Sequence, residues 1–147
     1  MRVVVQEAPF DPGAELNAFA KGDTDIGAVV SFTGVTRDVS GGLSRMLIEH
    51  YPGMTERALT QICEDAQKRW SLADILVIHR FGTMEAGDNI MMVATASRHR
   101  ADAFAAADFL MDYLKSRAPF WKKEISADGS DWVDAKDSDE DALDRWS

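Results

Sequence analysis

A single cysteine, Cys63, in 147 residues excludes an internal disulfide framework and every paired-cysteine metal or redox motif. It falls on an apolar helical stripe, so it reads as a buried small hydrophobe rather than a nucleophile. No apolar run approaches the roughly 18 to 20 residues that span a bilayer. The start, M-R-V-V-V-Q-E, is too short and too soon acidic for a signal peptide, so no membrane is expected and the cytoplasm is the default location. The chain has no G-x-S-x-G elbow, Walker A loop, G-x-G-x-x-G fingerprint or H-E-x-x-H pair. Its three histidines, His50, His79 and His99, lie in separate segments, so neither a metal nor a resident cofactor is expected.

Basic charge is scarce overall and unevenly placed. The formal net charge of −9 argues against nucleic acid as a partner. Eight acidic residues against Lys136 and Arg145 concentrate much of that charge in 128–147. Between Arg98 and Lys123 the balance reverses: six Lys and Arg residues face Asp102, Asp108 and Asp112. A locally basic region in an acidic protein points to a small anionic ligand.

With 46% hydrophobic and 28% charged residues, the chain has the composition of one globular domain with a real core. We expect a single domain over 1–136 and an acidic tail over 137–147, a docking arm or a frayed end. Strands are predicted at 2–6, 26–33, 45–50, 75–78, 90–96, 120–126 and around Trp132. Asp11 and Pro12 open a helix that should end near Gly22, and apolar periodicity predicts helices over 55–70 and 101–116. The glycines after Gly34 mark a mobile loop, Asp128 and Gly129 a turn, and Gly82 to Gly87 another loop. Because strands and helices do not alternate strictly, the fold class is α+β, a mostly antiparallel sheet with helices on one face.

The chemistry available is basic. Arg98, His99 and Arg100 join a strand to a helix N-terminus, where free N–H groups favour anions, although solvated loop cations remain the alternative. Lys115 ends the same helix and Lys122 follows beyond the Pro119 break. The helix dipole alone accounts for a lysine at that end. Lysines crowded by other cations and shielded from water have lowered pKa values and can act as nucleophile or general acid/base. Phe32 and Phe120 border these segments and either pack in the core, the commoner fate, or wall a cleft. Met91, Met92 and Met111 read as core filling.

Six segments together resemble the large, catalytic subunit of molybdopterin synthase. They are S-F-T-G-V-T-R-D at 31–38, E-H-Y-P-G-M-T-E at 49–56, V-I-H-R-F-G at 77–82, S-R-H-R-A-D-A-F at 97–104, M-D-Y-L-K-S-R-A-P-F-W-K-K-E at 111–124 and W-V-D-A at 132–135. The resemblance implies an α/β hammerhead with an added small β subdomain. It implies a sulfurtransferase that installs two sulfurs, as a dithiolene, on cyclic pyranopterin monophosphate. The sulfur donor would be a small ubiquitin-like carrier ending in a Gly-Gly thiocarboxylate, which fits the absence of a catalytic cysteine. A homodimer of large subunits with a carrier at each end, a heterotetramer, is also implied.

By motif, Lys115 and Lys122 match the family's catalytic lysines. Arg37, His99 and Arg100 match residues of the pterin and phosphate pocket, with Phe32, Met111 and Glu124 at neighbouring positions. Arg69 and Lys136 match basic positions contributed by the opposite large subunit; at the latter the family often has arginine, whose bidentate fork a lysine lacks. The alternative from another class is a non-catalytic anion-binding or scaffold domain of the same fold. Retention of both lysines speaks against it.

Overall fold

In the computed structural model, which describes residues 1–38, 43–126, 129–133 and 137–147, eight strands and four helices follow one another. They are β1 (Arg2–Gln6), α1 (Pro12–Ala18), β2 (Ala28–Val35), β3 (Leu43–His50), α2 (Met54–Arg69), β4 (Asp74–Arg80), β5 (Gly82–Met84), β6 (Asn89–Ser97), α3 (Arg100–Ser116), β7 (Phe120–Ser126), β8 (Gly129–Trp132) and α4 (Asp137–Ala142). A 3-10 turn over Leu143–Trp146 closes the chain. The centre of the expected glycine-rich loop, Asp128 of the expected turn, and Lys136 lie outside the described residues.

Two four-stranded sheets result, in the orders β1-β4-β6-β2 and β5-β3-β7-β8. Among the described residues only β1 and β4 run parallel; every other pairing is antiparallel, as an α+β chain of this element order implies. The alternation along β4 sets the layers. Ile75 and Val77 join α2 and α3 in the main core, around Leu59, Ile62, Phe109 and Leu110. Leu76 and Ile78 face the other way with Met92 and Ala94, under Phe10 and Phe19 at the two ends of α1. Each fully buried Leu, Ile, Val, Phe or Met among them stabilises the fold by about 1.5–3 kcal/mol. The inner face of the second sheet closes the main core through Ile48 and Met84.

Local chemistry explains the element ends. The Asp11 carboxylate accepts from the Ala14 N–H at 3.2 Å, with Pro12 inside the first turn. α1 stops at Ala18, short of the expected Gly22, because Phe19 adopts an extended conformation and packs under the sheet. The helices are therefore not all on one face: α1 covers the side opposite α2 and α3. β5 was not anticipated within the 82–87 loop. At three residues it is too short for a periodic signal, and its pairing with Met46, Leu47 and Ile48 is a tertiary event. Cys63 is buried in the core, and its thiol is pushed up to about 12 by burial, so it stays protonated.

Candidate functional site

β7 leaves the Pro119 break with Phe120, Lys122 and Glu124 on one face, and its register with β3 puts His50, Ile48 and Met46 opposite them. That face meets the C-terminal end of α3 and the far end of β2 across a cleft of about 530 Å³. Lys115 projects from the last turn of α3, where the helix dipole favours a cation. Lys122 comes from β7, and Arg37 follows β2. All three line the cleft, as do Phe32, Met111 and Glu124.

The walls are apolar where the ends are charged. Phe32 is 43% exposed and walls the cleft instead of filling the core, the less common outcome for a phenylalanine. Met91 and Met92 are buried in the core as expected, Met111 packs against it, and Met91 and Met111 also line the cleft. Gly34 packs closely here: a Cβ would stand 3.2 Å from Met91 Cγ, so that side chain would have to give by a few tenths of an ångström. A bulge at Gly34 and Val35 then turns β2 outward toward Arg37. Such a site, apolar-walled with a few convergent cations, suits a flat organic ring bearing an anionic group.

Thr33, Thr36, Asp139 and His79 bring to the cleft polar groups that sequence reasoning did not single out, and the last three have distinct settings. Thr36 is 2% exposed, and its hydroxyl has no partner among the described residues. Asp139 reaches the cleft from α4. His79, at the end of β4, stacks on Phe120 at 3.7 Å between ring centroids, and its Nδ1 lies 2.8 Å from the Arg80 carbonyl oxygen. Burial lowers its pKa to about 4 against the opposing pull of that carbonyl, and Lys122, His50 and Lys115 lower it further. It is therefore neutral at physiological pH. The available signal was that His79 continues the core-facing set Ile75, Val77 at period two.

The other sequence candidates stand elsewhere. His99 is the N-cap residue of α3 and Arg100 its first residue, both exposed and neither lining the cleft. Fifteen helical steps separate Arg100 from Lys115, roughly 22 Å along the axis. The expectation that His99 and Arg100 join Arg37 at one phosphate therefore fails within a single chain. Arg69 lies away from the cleft as well. It donates to the Trp146 carbonyl, sits 4.9 Å over the Phe109 ring, and lines a separate open groove of about 510 Å³ with Arg98. Gly27 explains why 98–100 lie beside the start of β2: a Cβ there would be 2.2 Å from the Arg98 carbonyl oxygen.

Among the described residues no cluster of three His, Cys, Asp or Glu side chains is placed to hold a metal ion. No helix there is long and apolar enough to cross a membrane.

Comparison with known proteins supplies the context. Residues 5–117 match the family model described as MoaE protein. The chain is 64% identical to the molybdopterin synthase catalytic subunit of Cereibacter sphaeroides, over 99% of this chain and all of that one. It superposes on the molybdopterin biosynthesis MoaE protein of Burkholderia ambifaria with a TM-score of 0.85 at 47% identity, covering 99% of this chain and 97% of the other. In fold it also resembles a chain from the complex of subunits 1 and 2 of molybdopterin-converting factor from Helicobacter pylori. That match has a TM-score of 0.76 at 16% identity, covering 92% of this chain and 90% of the other.

Proposed function

Because the chain belongs to the MoaE family, the catalytic subunits of molybdopterin synthase in molybdenum cofactor biosynthesis, we propose that its cleft performs the sulfur transfer of that synthase. The substrate is cyclic pyranopterin monophosphate, and the donor is the C-terminal Gly-Gly thiocarboxylate of a small ubiquitin-like carrier. The observation that carries this reading is the convergence of Lys115, Lys122 and Arg37, from three different elements, on one apolar-walled cleft. The pterin ring lies between Phe32 and the methionines. The thiocarboxylate sulfur attacks the side-chain carbon that carries a cyclic-phosphate oxygen, and the C–O bond there breaks, opening the ring to a phosphate monoester that takes the electron pair. Lys115 and Lys122 move protons and balance developing negative charge, and water then cleaves the acyl–sulfur bond to release the carrier as a carboxylate. A second carrier delivers the second sulfur.

The basic groups at the far end of α3 enter from a second copy of the chain. β2 is an edge strand, with Val29, Phe32 and Val35 exposed, and Phe104 of α3 is 60% exposed. Antiparallel pairing of two β2 strands about a two-fold axis sets Ala28 of one copy opposite Val35 of the other. Ala28 pairs with Ser97 in its own sheet, so 98–100 of one copy come beside Arg37 of its neighbour. His99 and Arg100, with Arg69 beside Arg98 in one groove, thus complete the anion seat across the two-fold. Subunits 1 and 2 in the Helicobacter pylori complex offer a precedent for the carrier in a protein of this fold.

The experiment is single-turnover dithiolene formation from thiocarboxylated carrier and cyclic substrate. Lys115→Ala should slow it by about 10²–10⁴-fold. An unchanged rate removes Lys115 from the mechanism.

A further inference from the structure

We propose that His79 is a positioning residue for Lys122: its neutral imidazole is an acceptor that helps keep the Lys122 ammonium charged and turned into the cleft. The inference rests on the sulfur-transfer reading of the cleft and assigns a charge state to one of its two lysines.

Three observations converge on the ring. First, its tautomer is set. A carbonyl oxygen 2.8 Å from Nδ1 can only accept, so Nδ1 carries the proton and Nε2, the remaining polar atom, presents a lone pair. The Arg80 backbone is itself held by its pairing with Gln6 of β1, and its guanidinium donates to the Glu7 carbonyl at 3.0 and 2.9 Å.

Second, the ring plane is fixed by the 3.7 Å, 16° stack on Phe120. Phe120 stands two residues before Lys122 on the same face of β7, so the stack delivers the imidazole to the neighbourhood of that lysine.

Third, His79 is 6% exposed yet lines the cleft. The charged and titratable groups acting on it are Lys122 on β7, His50 on β3 and Lys115 on α3, while Glu124, Arg37 and Asp139 share the cleft lining with it. His50 in turn lies 3.9 Å from Glu56 of α2. Beside it on β1 and β6 the register places only uncharged Val5 and Met91. A neutral acceptor among cations stabilises the ammonium form of a neighbour, and of these cations Lys122 acts on the ring most strongly.

A histidine that merely filled the core would do none of this, and competitive labelling separates the two roles. The lysine amines are acylated as a function of pH and quantified by mass spectrometry, which reads each lysine's pKa without turnover. In His79→Phe, which keeps a ring to stack on Phe120, the labelling pKa of Lys122 should fall by about one unit, the effect of losing one hydrogen bond to a charged group. Lys115 should move much less. In turnover, kcat should fall about tenfold or more while KM for the cyclic substrate stays within about twofold, the signature of a group acting in the transition state.

His79→Gln, whose amide oxygen can reach the Nε2 position, should restore most of both readouts. His79→Asn, which reaches only as far as Nδ1, should not. Should the phenylalanine variant fail to fold, the Gln and Asn pair alone decides. Equal behaviour of those two, or an unmoved Lys122 pKa, overturns the assignment. A wild-type protein that shows the labelling pattern but no sulfur transfer would instead overturn the functional reading and leave the His79 to Lys122 pairing intact.

Discussion

The two ends of α3 carry basic residues of the same kind and meet different fates. At the C-terminal end Lys115 accords with the helix dipole and joins a built cleft, with Lys122 and Arg37 brought to it by β7 and β2. At the N-terminal end Arg98, His99 and Arg100 oppose the dipole. Near them, Arg98 approaches Asp25 at 3.9 Å, a pair so exposed that it contributes little to stability. The contrast teaches that a helix terminus does not make a site. The cleft exists because Pro119 breaks the chain and returns it as a strand, whereas the cations at the other end are assembled without a wall around them. Cations that oppose a helix dipole have most to gain from the anion that the proposed two-fold would bring to them.

The sharpest way to break this comparison is to separate the two ends onto different chains. A Lys115→Ala chain and a His99→Ala, Arg100→Ala chain, each strongly impaired alone, are co-expressed with different tags and purified as the heterodimer. If the N-terminal end of one copy serves the cleft of the other, one of the two sites is intact, and about half of the wild-type turnover returns, a recovery of about ten-fold or more over either parent. No recovery would mean that the two ends do not meet across a two-fold.

That separation also marks what could be read from the sequence. Period-two alternation correctly placed Phe120, Lys122 and Glu124 on one face of β7, and the 3.6-residue period found α2 and α3 to within a residue or two of their ends. These are local properties, fixed by neighbours a few residues away. The resemblance supplied Lys115, Lys122, Arg37, Phe32, Met111 and Glu124, which the structure gathers in one cleft. Motif matching carries no distances: His99 and Arg100 share a helix with Lys115 but lie a helix length from it. For His79 the period-two pattern signals burial and nothing of function, because its environment is built from β7, α3 and β3, none of them near it in sequence. β5 is silent for the same reason, since three residues become a strand only when β3 is beside them.

A second prediction concerns acid. His79 has its pKa lowered from 6.5 to about 4 in the folded chain, chiefly by burial. A folded-state value below the unfolded one means that the unfolded chain binds the extra proton between those limits. Stability is then fully present above about pH 6.5 and declines as pH falls toward 4. The loss amounts to about 3 kcal/mol at most, because each tenfold change in proton affinity is worth roughly 1.36 kcal/mol. Urea denaturation at pH 7.5 and at pH 5 should show it as a lowered midpoint, and His79→Gln, which cannot titrate, should lose visibly less. An equal loss in both proteins would place the acid sensitivity in other groups.

The smallest expected effect tests why the C-terminal end of α3 is the enclosed one. Asp112, one turn before Lys115, accepts from Arg145 Nε and Nη2 at 2.9 and 2.6 Å and from Trp146 Nε1 at 2.6 Å. The Trp146 ring meets Trp70 and Phe109 edge to face at 5.6 and 5.5 Å, and Leu143 is buried beneath the same segment. An otherwise acidic segment is thus pinned to the helix by two aromatic and aliphatic anchors and one carboxylate, while its Glu140 pairs with Arg117 at 2.6 Å. Asp112→Asn keeps an acceptor but removes the charge. Arg145 is half exposed, so solvent screening reduces a charge-assisted bond here to about 1 kcal/mol. The thermal midpoint should fall by about 2–4 °C, and less in high salt, where the charged part of the bond is already weakened. Trp146→Ala should cost more than Asp112→Asn, because burial against Trp70 and Phe109 does not depend on salt. If Asp112→Asn proved the more damaging of the two, the tail would be held by charge, and its enclosure of this end of α3 would relax at high ionic strength.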